Sequence, residues 1–473
     1  MKAFFTNLGH SIYNGLNKFF HIEERNTTLS RELLGGLTTF LAMFYILPVN
    51  GFMLGGLAPA TPGAIFAATA ISAAIATLIM GVYANFPVAL APGMGINAMI
   101  TYTVCGAMGY SYPEALALTL VAGIIFILIS VTPLRTWILN AIPKNLKISI
   151  GAGIGFFIAF IGLKNAGIIV ANSETGVSFG NFSLTPVIVA IVGILLVFVL
   201  SNVKVKWVNN FAVIISLFAI GLISAILGQC GVANLPTFAT DSVGSVSDLG
   251  KVFGVCFTEG FGVFAKPSAY AVLFALLFVD FFDTAGTLVA VGEEAGMIDS
   301  EGQIKDSQKA LLADSIGTAV GAIAGTTTVT SYVESTTGIG VGARTGLSAC
   351  VVAVLFLLSL AIYPALGMFS SVKINGVSYS PVTSLALVYV GTLMFRQLKN
   401  LDWSDAVATT AGFMTIATMI LAYSISDGIA FGFITYTVIS VARGDYKKIN
   451  PLMYVISLLF ITLYVVKVTT GLM

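Results

Sequence analysis

Apolar runs long enough to cross a bilayer alternate with short polar breaks from about residue 31 to the last residue. A helix needs ~20 predominantly apolar residues to cross the hydrocarbon layer. The breaks cut the chain into segments near 31–54, 62–84, 88–110, 114–132, 148–170, 184–201 and 210–229. A polar connection rich in Gly, Ser and Asp covers 230–268, and further segments follow at 269–292, 310–324, 326–344, 346–366, 380–396, 405–424, 427–442 and 452–471. The pattern predicts an all-α polytopic membrane protein. Seven crossings precede the long connection, so the second half enters the membrane inverted relative to the first.

Two segments depart from the helical pattern. "FPVALAPGMGINAMITYTV" (86–104) and "AGTTTVTSYVESTTGIGVGA" (324–343) lie about 238 residues apart. Each opens with a piece that reads as extended, 87–92 and 326–331, because Pro cannot donate to a helix ladder and β-branched residues favour extended backbone. A Gly-containing stretch that reads as helix follows each piece. Extended backbone at membrane depth is tolerated only where protein buries it or it lines a cavity. Broken helices at the interface of inverted repeats are where secondary transporters place their sites. The same offset sets Tyr45 of the first segment opposite Asp283 of the eighth.

Composition narrows the class. The chain is 57% hydrophobic and 9% charged, against roughly a quarter charged in soluble domains. A net charge of +1 provides no field for nucleic acid. Basic residues gather in alternate connections: Lys2, Lys18 and Arg25; Arg135, Lys144 and Lys147; Lys204 and Lys206; Lys305 and Lys309; Arg396 and Lys399; Arg443, Lys447 and Lys448. By the positive-inside rule these face the cytoplasm of a multi-pass cell-membrane protein, together with the N-terminal tail 1–30, and the 230–268 connection is extracellular.

Several chemistries are excluded. Cys105, Cys230, Cys256 and Cys350 have no CxxC spacing, so zinc and haem readings fail, and a Cys230–Cys256 disulfide in the long connection is the alternative to free thiols. The tail has no signal-peptide architecture. "GAGIG" (151–155) and "GIGVG" (338–342) follow no soluble strand, so close helix packing accounts for them better than dinucleotide binding. No Walker A sequence is present, and the only histidines, His10 and His21, lie in the tail, which removes a Ser-His-Asp triad. The chain is expected to be neither an enzyme nor a holder of cofactor or metal.

Ionisable residues inside spans cost ~2.5–3.5 kcal/mol each on insertion scales and mark functional sites. Asp283 in "FVDFFDTAGT" and Glu334 in "TTTVTSYVEST" are the sharpest candidates. A carboxylate switches between acceptor and donor as it gains a proton, which suits a heterocycle with N–H and C=O edges and a coupling proton. Asp280 falls on an adjoining helical face and reads as a supporting group. Asp314 and Lys164 sit near predicted span ends, where snorkelling or packing explains them, and Arg344 reads as an interface anchor.

The stretches "FVDFFDTAGTLVAV", "ALLADSIGTAVGAIAGTTTVTSYVESTTGIGVGARTGL", "VALAPGMGINA" and "GLTTFLAMFYILPVN" resemble the azaguanine-resistance-like permeases for adenine, guanine and hypoxanthine, related to nucleobase cation symporters of the uracil and xanthine permease type. The likeness covers essentially the whole chain. It implies fourteen spans in two inverted seven-span repeats, 31–229 and 269–473, with short β-strands in spans 3 and 10. It further implies a core domain from spans 1–4 and 8–11 and a gate domain from spans 5–7 and 12–14. The fifteen segments above then contain one too many, with the surplus within 405–471.

The resemblance also implies a substrate held by Asp283 and Glu334, with Tyr332 stacking on the base and Val333 offering a backbone N–H. Thr287 occupies a position where relatives use histidine. Gly93 and Met94 fall at the third-span contact, where this chain has no aromatic, leaving Phe282 or Tyr45 to supply a second ring face. The implied function is proton-coupled import of purine nucleobases by alternating access, guanine and hypoxanthine favoured, with Glu334 proton-linked and Asp283 reading the base. The rivals are adenine, xanthine, urate or uracil as substrate, and a receptor or scaffold that moves nothing. The expected partners are the purine, the bilayer and a second copy in a homodimer, with no nucleic acid.

Overall fold

The computed structural model describes residues 13–132, 142–238, 246–297, 307–447 and 449–469. Lys2, His10, Arg135, Lys305 and Lys448 of the sequence argument lie outside them. Eight helices among the described residues are long and apolar enough to cross a membrane, and three more are apolar but shorter. The chain is a multi-pass membrane protein.

The span starts follow ordinary capping chemistry. Leu29–Met43 (α1) begins after Thr28, whose side chain accepts from Arg31 N, and Ile46–Leu54 (α2) continues it. Pro62–Ile79 (α3) has Thr61 as its cap and Pro at its first position, where a missing N–H costs nothing. It ends in a π turn, Met80–Ala84.

The first predicted break is a strand, Leu90–Pro92 (β1), followed by Met94–Ala98 (α4), which winds on as π-helix over Met99–Ala107. That winding was not legible in the sequence. Tyr112–Val131 (α5) opens with a Ser111/Glu114 capping box. Lys144–Asn165 (α6), an exposed hairpin of Ile169–Asn172 (β2) with Gly176–Phe179 (β3), Thr185–Leu200 (α7), Lys206–Asn210 (α8) and Ala212–Gln229 (α9) complete the first half.

The 230–268 connection carries short helical turns, Val246–Lys251, Cys256–Gly260 and Phe261–Ala265. Its two cysteines are free thiols, so the disulfide alternative is corrected. Pro267–Ala295 (α10) and Ser307–Ala324 (α11) lead to the second break, Val329–Ser331 (β4) and Ser335–Val341 (α12). Gly346–Leu358 (α13) follows, then a 3-10 stretch and the hairpin Val372–Ile374 (β5) with Val377–Tyr379 (β6). The last helices are Ser384–Phe395 (α14), Ala406–Leu421 (α15), Ile425–Ala442 (α16) and Pro451–Thr469 (α17).

Two of the late segments form one hairpin. Only residues 422–424 separate α15 from α16, and Gly428 of α16 lies against the Thr415 carbonyl and Met419 of α15. Sixteen residues rise ~24 Å, short of a ~30 Å hydrocarbon layer. So α15 is the short arm of a tight helical hairpin.

The two breaks meet. β1 and β4 pair antiparallel, Leu90 with Ser331, Ala91 with Thr330 and Pro92 with Val329. Gly93 N donates to Thr328 O and Tyr332 N to Ala89 O, extending the ladder at both ends. Thr77 Oγ of α3 both donates to Leu90 O and accepts from Leu90 N. Backbone groups that have no water at this depth are thus satisfied by the other repeat.

Glycines let the surrounding helices approach closely. Gly123 of α5 faces Thr318 and Ala319 of α11, and Gly36 of α1 faces Ser348 and Val351 of α13. In a second group, Gly155 of α6 faces Gly391 O and Met394 of α14, and Gly153 faces Met419 of α15. A core group around β1 and β4 therefore packs beside a gate group built on α6.

Candidate functional site

α10 brings Asp283 and Thr287 to the seam between these two groups, beside the paired strands. A cavity opens there, lined by Asp283, Thr287, Gly93, Met94, Tyr332, Val333, Glu334 and Tyr45 from the core side. Of the nine positions singled out in the sequence, eight surround this one space. The ninth, Phe282, is on α10, but its side chain lies outside the described residues.

Local geometry explains each placement. Glu334 caps the start of α12 in the αR conformation, and its Oε1 accepts from Tyr45 OH at 2.6 Å. Tyr332 is pinned by its hydroxyl, which donates to Pro92 O at 2.6 Å, so its ring is fixed against β1. Gly93 ends β1 in extended conformation, and a Cβ there would meet Thr330 Cγ2 at 2.8 Å with Asp283 Oδ2 3.8 Å away. The glycine therefore lets the strand end pass directly beside the carboxylate. Tyr45 is 2% exposed, and its ring supplies an aromatic wall that β1 and α4 lack.

Behind the cavity, Asp314 of α11 takes the packing alternative that the sequence left open beside snorkelling. It is fully buried and accepts from Ser331 N at 2.7 Å, Ser331 Oγ at 2.6 Å and Thr284 Oγ at 2.6 Å. Thr284 also pairs with Thr330 Oγ at 2.8 Å. A single carboxylate thus ties α10, α11 and β4 together. Asp280 is equally buried: Thr318 Oγ donates to its Oδ2 at 2.7 Å, while Oδ1 has no partner among the described residues.

Lys164 does not snorkel freely either; its ammonium sits 4.6 Å from the centre of the Tyr423 ring. Arg344 folds back to donate to the carbonyls of Ile339 and Ala343 at the end of α12. Residues the sequence reading missed complete the cavity from the gate side: Ile154 and Ile158 of α6, Val390 and Met394 of α14, and Gln397 at its exposed rim. Apolar residues in apolar spans carry no signal that distinguishes them. Glu32 was also missed. It is fully buried and its carboxylate accepts from Arg344 N, Thr345 N and Ser348 N, holding the start of α13 beside α1.

A polytopic helical protein with two crossed, strand-broken spans around a central cavity belongs to the class of solute carriers built from a core and a gate. Its fold is similar to the transmembrane domain of a cyanobacterium bicarbonate transporter, BicA, at a TM-score of 0.61 and 13% identity, over 85% of this chain and 97% of that one. Residues 30–431 match the xanthine/uracil-type permease profile, described as the Permease family, and the chain belongs to that family. It is 39% identical over 447 residues to the guanine/hypoxanthine permease PbuO of Bacillus subtilis, covering 93% of this chain and 98% of that protein. It is 36% identical over 449 residues to the adenine permease AdeP of Escherichia coli, covering 94% and 95%. The chain is a transporter of the nucleobase permease type and not an enzyme.

Proposed function

We propose that the protein imports purine nucleobases across the cell membrane by proton-coupled alternating access, with guanine and hypoxanthine preferred and the N-terminus in the cytoplasm. The observation that carries this reading is the convergence of Asp283 and Glu334, from α10 and the start of α12, on one cavity with the Tyr332 and Tyr45 rings. Two carboxylates offer acceptors to ring N–H groups, and the fixed Tyr332 ring offers a stacking face worth ~1–3 kcal/mol by analogy with base stacking elsewhere. In this reading Asp283 holds the base, flanked by Thr287, Phe282, Gly93 and Met94, and the Val333 N–H faces a ring carbonyl. Glu334, already hydrogen-bonded to Tyr45, exchanges the coupling proton. The preference for oxopurines rests on relatives named for guanine and hypoxanthine.

The test is uptake of labelled hypoxanthine into cells, with unlabelled guanine, adenine, xanthine and uracil as competitors. A buried hydrogen bond to a charged group is worth ~1.5–3 kcal/mol, so Asp283→Asn should weaken apparent affinity roughly 10- to 150-fold. Glu334→Gln should abolish accumulation and its dependence on external pH. Wild-type accumulation by both variants, at normal membrane levels, would refute the assignment.

A further inference from the structure

The second half of the 230–268 connection is not polar. In "VFGVCFTEGFGVFA" (252–265) the structure sorts the apolar residues onto two sides. Val252, Val255, Cys256 and Val263 are buried against the core group. Phe253, Phe257 and Phe261, four residues apart, point the other way and are 61%, 56% and 44% exposed. The Phe257 and Phe261 rings stack with centroids 6.2 Å apart, Phe261 meets Phe264 at 5.8 Å, and Phe264 meets Tyr270 at 6.3 Å. Tyr270 lies in the first turn of α10 and is itself 57% exposed. A row of rings thus runs from the connection onto a membrane span without a break.

Contiguous exposed aromatic surface marks contact with protein or with membrane. The neighbouring helix decides between them. Gly260 lies against α5, where a Cβ would run into the Pro113 carbonyl and Ala117 Cβ. Val121, Ile124 and Leu128 follow Ala117 on the same face of α5, and Ile124 and Leu128 are exposed in the body of the span, where the solvent is acyl chain. The connection therefore covers the first turns of a face that lipid covers further on. Ala117 is five residues past the start of α5, ~7.5 Å along its axis, within the ~5–10 Å depth to which interfacial helices bury their apolar faces. The polar level is marked at the same end: Lys266 Nζ pairs with Glu114 Oε1 at 2.6 Å and lies 4.7 Å from the centre of the Tyr110 ring.

The inner side of the segment is fastened to the core. Gly254 N donates to Ile323 O of α11 at 2.8 Å, Val252 O lies against Gly325, which has φ +92°, and Tyr112 OH of α5 donates to Gly325 O at 2.9 Å. Gly325 directly precedes the extended piece 326–331, so the segment is tied to the turn from which β4 departs. We propose that residues 252–264 are an interfacial lipid anchor: Phe253, Phe257 and Phe261 insert among the acyl chains of the leaflet on the connection's side, and the bonds to α11 fasten the core group to that leaflet. The partner is phospholipid hydrocarbon rather than a particular headgroup, because the nearby cations, Lys251 and Lys266, are paired with Asp248 and Glu114.

The test uses the full-length protein with Trp137, Trp207 and Trp403 replaced by phenylalanine and a reporter introduced by Phe257→Trp, reconstituted in phosphatidylcholine vesicles. Lipid brominated on its acyl chains just below the headgroups should quench the reporter by roughly half or more, and aqueous acrylamide should quench it several-fold less than free tryptophan. Phe253→Trp and Phe261→Trp should behave alike and serve if Phe257→Trp fails to fold. The readout is proximity to lipid and not uptake, so it stands apart from the function proposed above. Strong acrylamide quenching without quenching by brominated lipid would make the segment a water-facing loop, and shielding from both quenchers would place a second copy of the chain over the rings. Either result would overturn the anchor.

Discussion

Asp314→Ala should loosen the strand on which the central cavity rests. The carboxylate takes three hydrogen bonds, from Ser331 N, Ser331 Oγ and Thr284 Oγ, and both donor residues are buried. The two hydroxyls can rotate toward other acceptors, so each loses about what an interhelical hydrogen bond contributes within a bilayer, ~0.6 kcal/mol. The Ser331 N–H cannot rotate, and an orphaned buried donor costs ~1–3 kcal/mol. Together these give ~2–4 kcal/mol. At ~2 °C per kcal/mol for a large domain, the melting temperature should fall by ~4–8 °C.

Asp314→Asn separates the hydrogen bonds from the charge. Its remaining oxygen still accepts from Ser331, while its amide donates to Thr284 Oγ, whose hydroxyl turns to Thr330 2.8 Å away. That variant should lose no more than ~1 kcal/mol, or ~2 °C. Thermal unfolding of detergent-purified protein, read by size exclusion after heating, measures both. If the alanine variant melted with the wild type, or the asparagine variant fell as far as alanine, the carboxylate would not be holding β4 through these bonds.

Two further outcomes follow from the same region. Gly338→Ala should abolish uptake, because a Cβ there meets the Gly35 carbonyl and Thr39 Oγ of α1, whereas Gly340→Ala, whose Cβ meets nothing, should transport normally. Comparing uptake at equal membrane levels checks both. Glu32→Ala should lower thermal stability by roughly 3–9 kcal/mol through three orphaned N–H groups at ~1–3 kcal/mol each, and Glu32→Gln, which keeps an acceptor, should recover more than half of that loss. Equal loss in the two would show that the Glu32 charge, not its hydrogen bonding, matters.

The fold class was legible because lipid solvation writes itself into every span: apolar runs, basic connections and two interruptions that only a buried site tolerates. The core side of the cavity was legible for the same reason, since Asp283 and Glu334 are polar where polarity is expensive. The gate side was not. Ile154, Val390 and Met394 are ordinary residues of apolar helices, and only tertiary packing of α6 against α14 brings them to the seam.

For Asp314 the sequence left snorkelling and packing open, because the apolar run begins near 310, whereas the helix starts at Ser307, placing the carboxylate two turns inside, with Ser331 as its partner across a strand. Glu32 was hidden by convention. An acid in the first turn of a helix ordinarily complements the helix dipole, so nothing in "TTLSRELL" announces that it serves a different helix more than 300 residues away.

The β1–β4 pairing also sets a timetable. About 240 residues separate Leu90 from Ser331, its partner. At ~5–20 residues synthesised per second, roughly 12–48 s pass between the emergence of one strand and that of the other. Throughout that interval the first repeat has a stretch of backbone at membrane depth whose N–H and C=O groups lack their final partners. Its third span cannot be a finished part awaiting assembly; it must linger in the insertion machinery, in a water-filled space or in a provisional helix until the second repeat arrives. The site and the completed fold are therefore made in the same late event, and a chain truncated before Val329 would lose its native first half as well as its second.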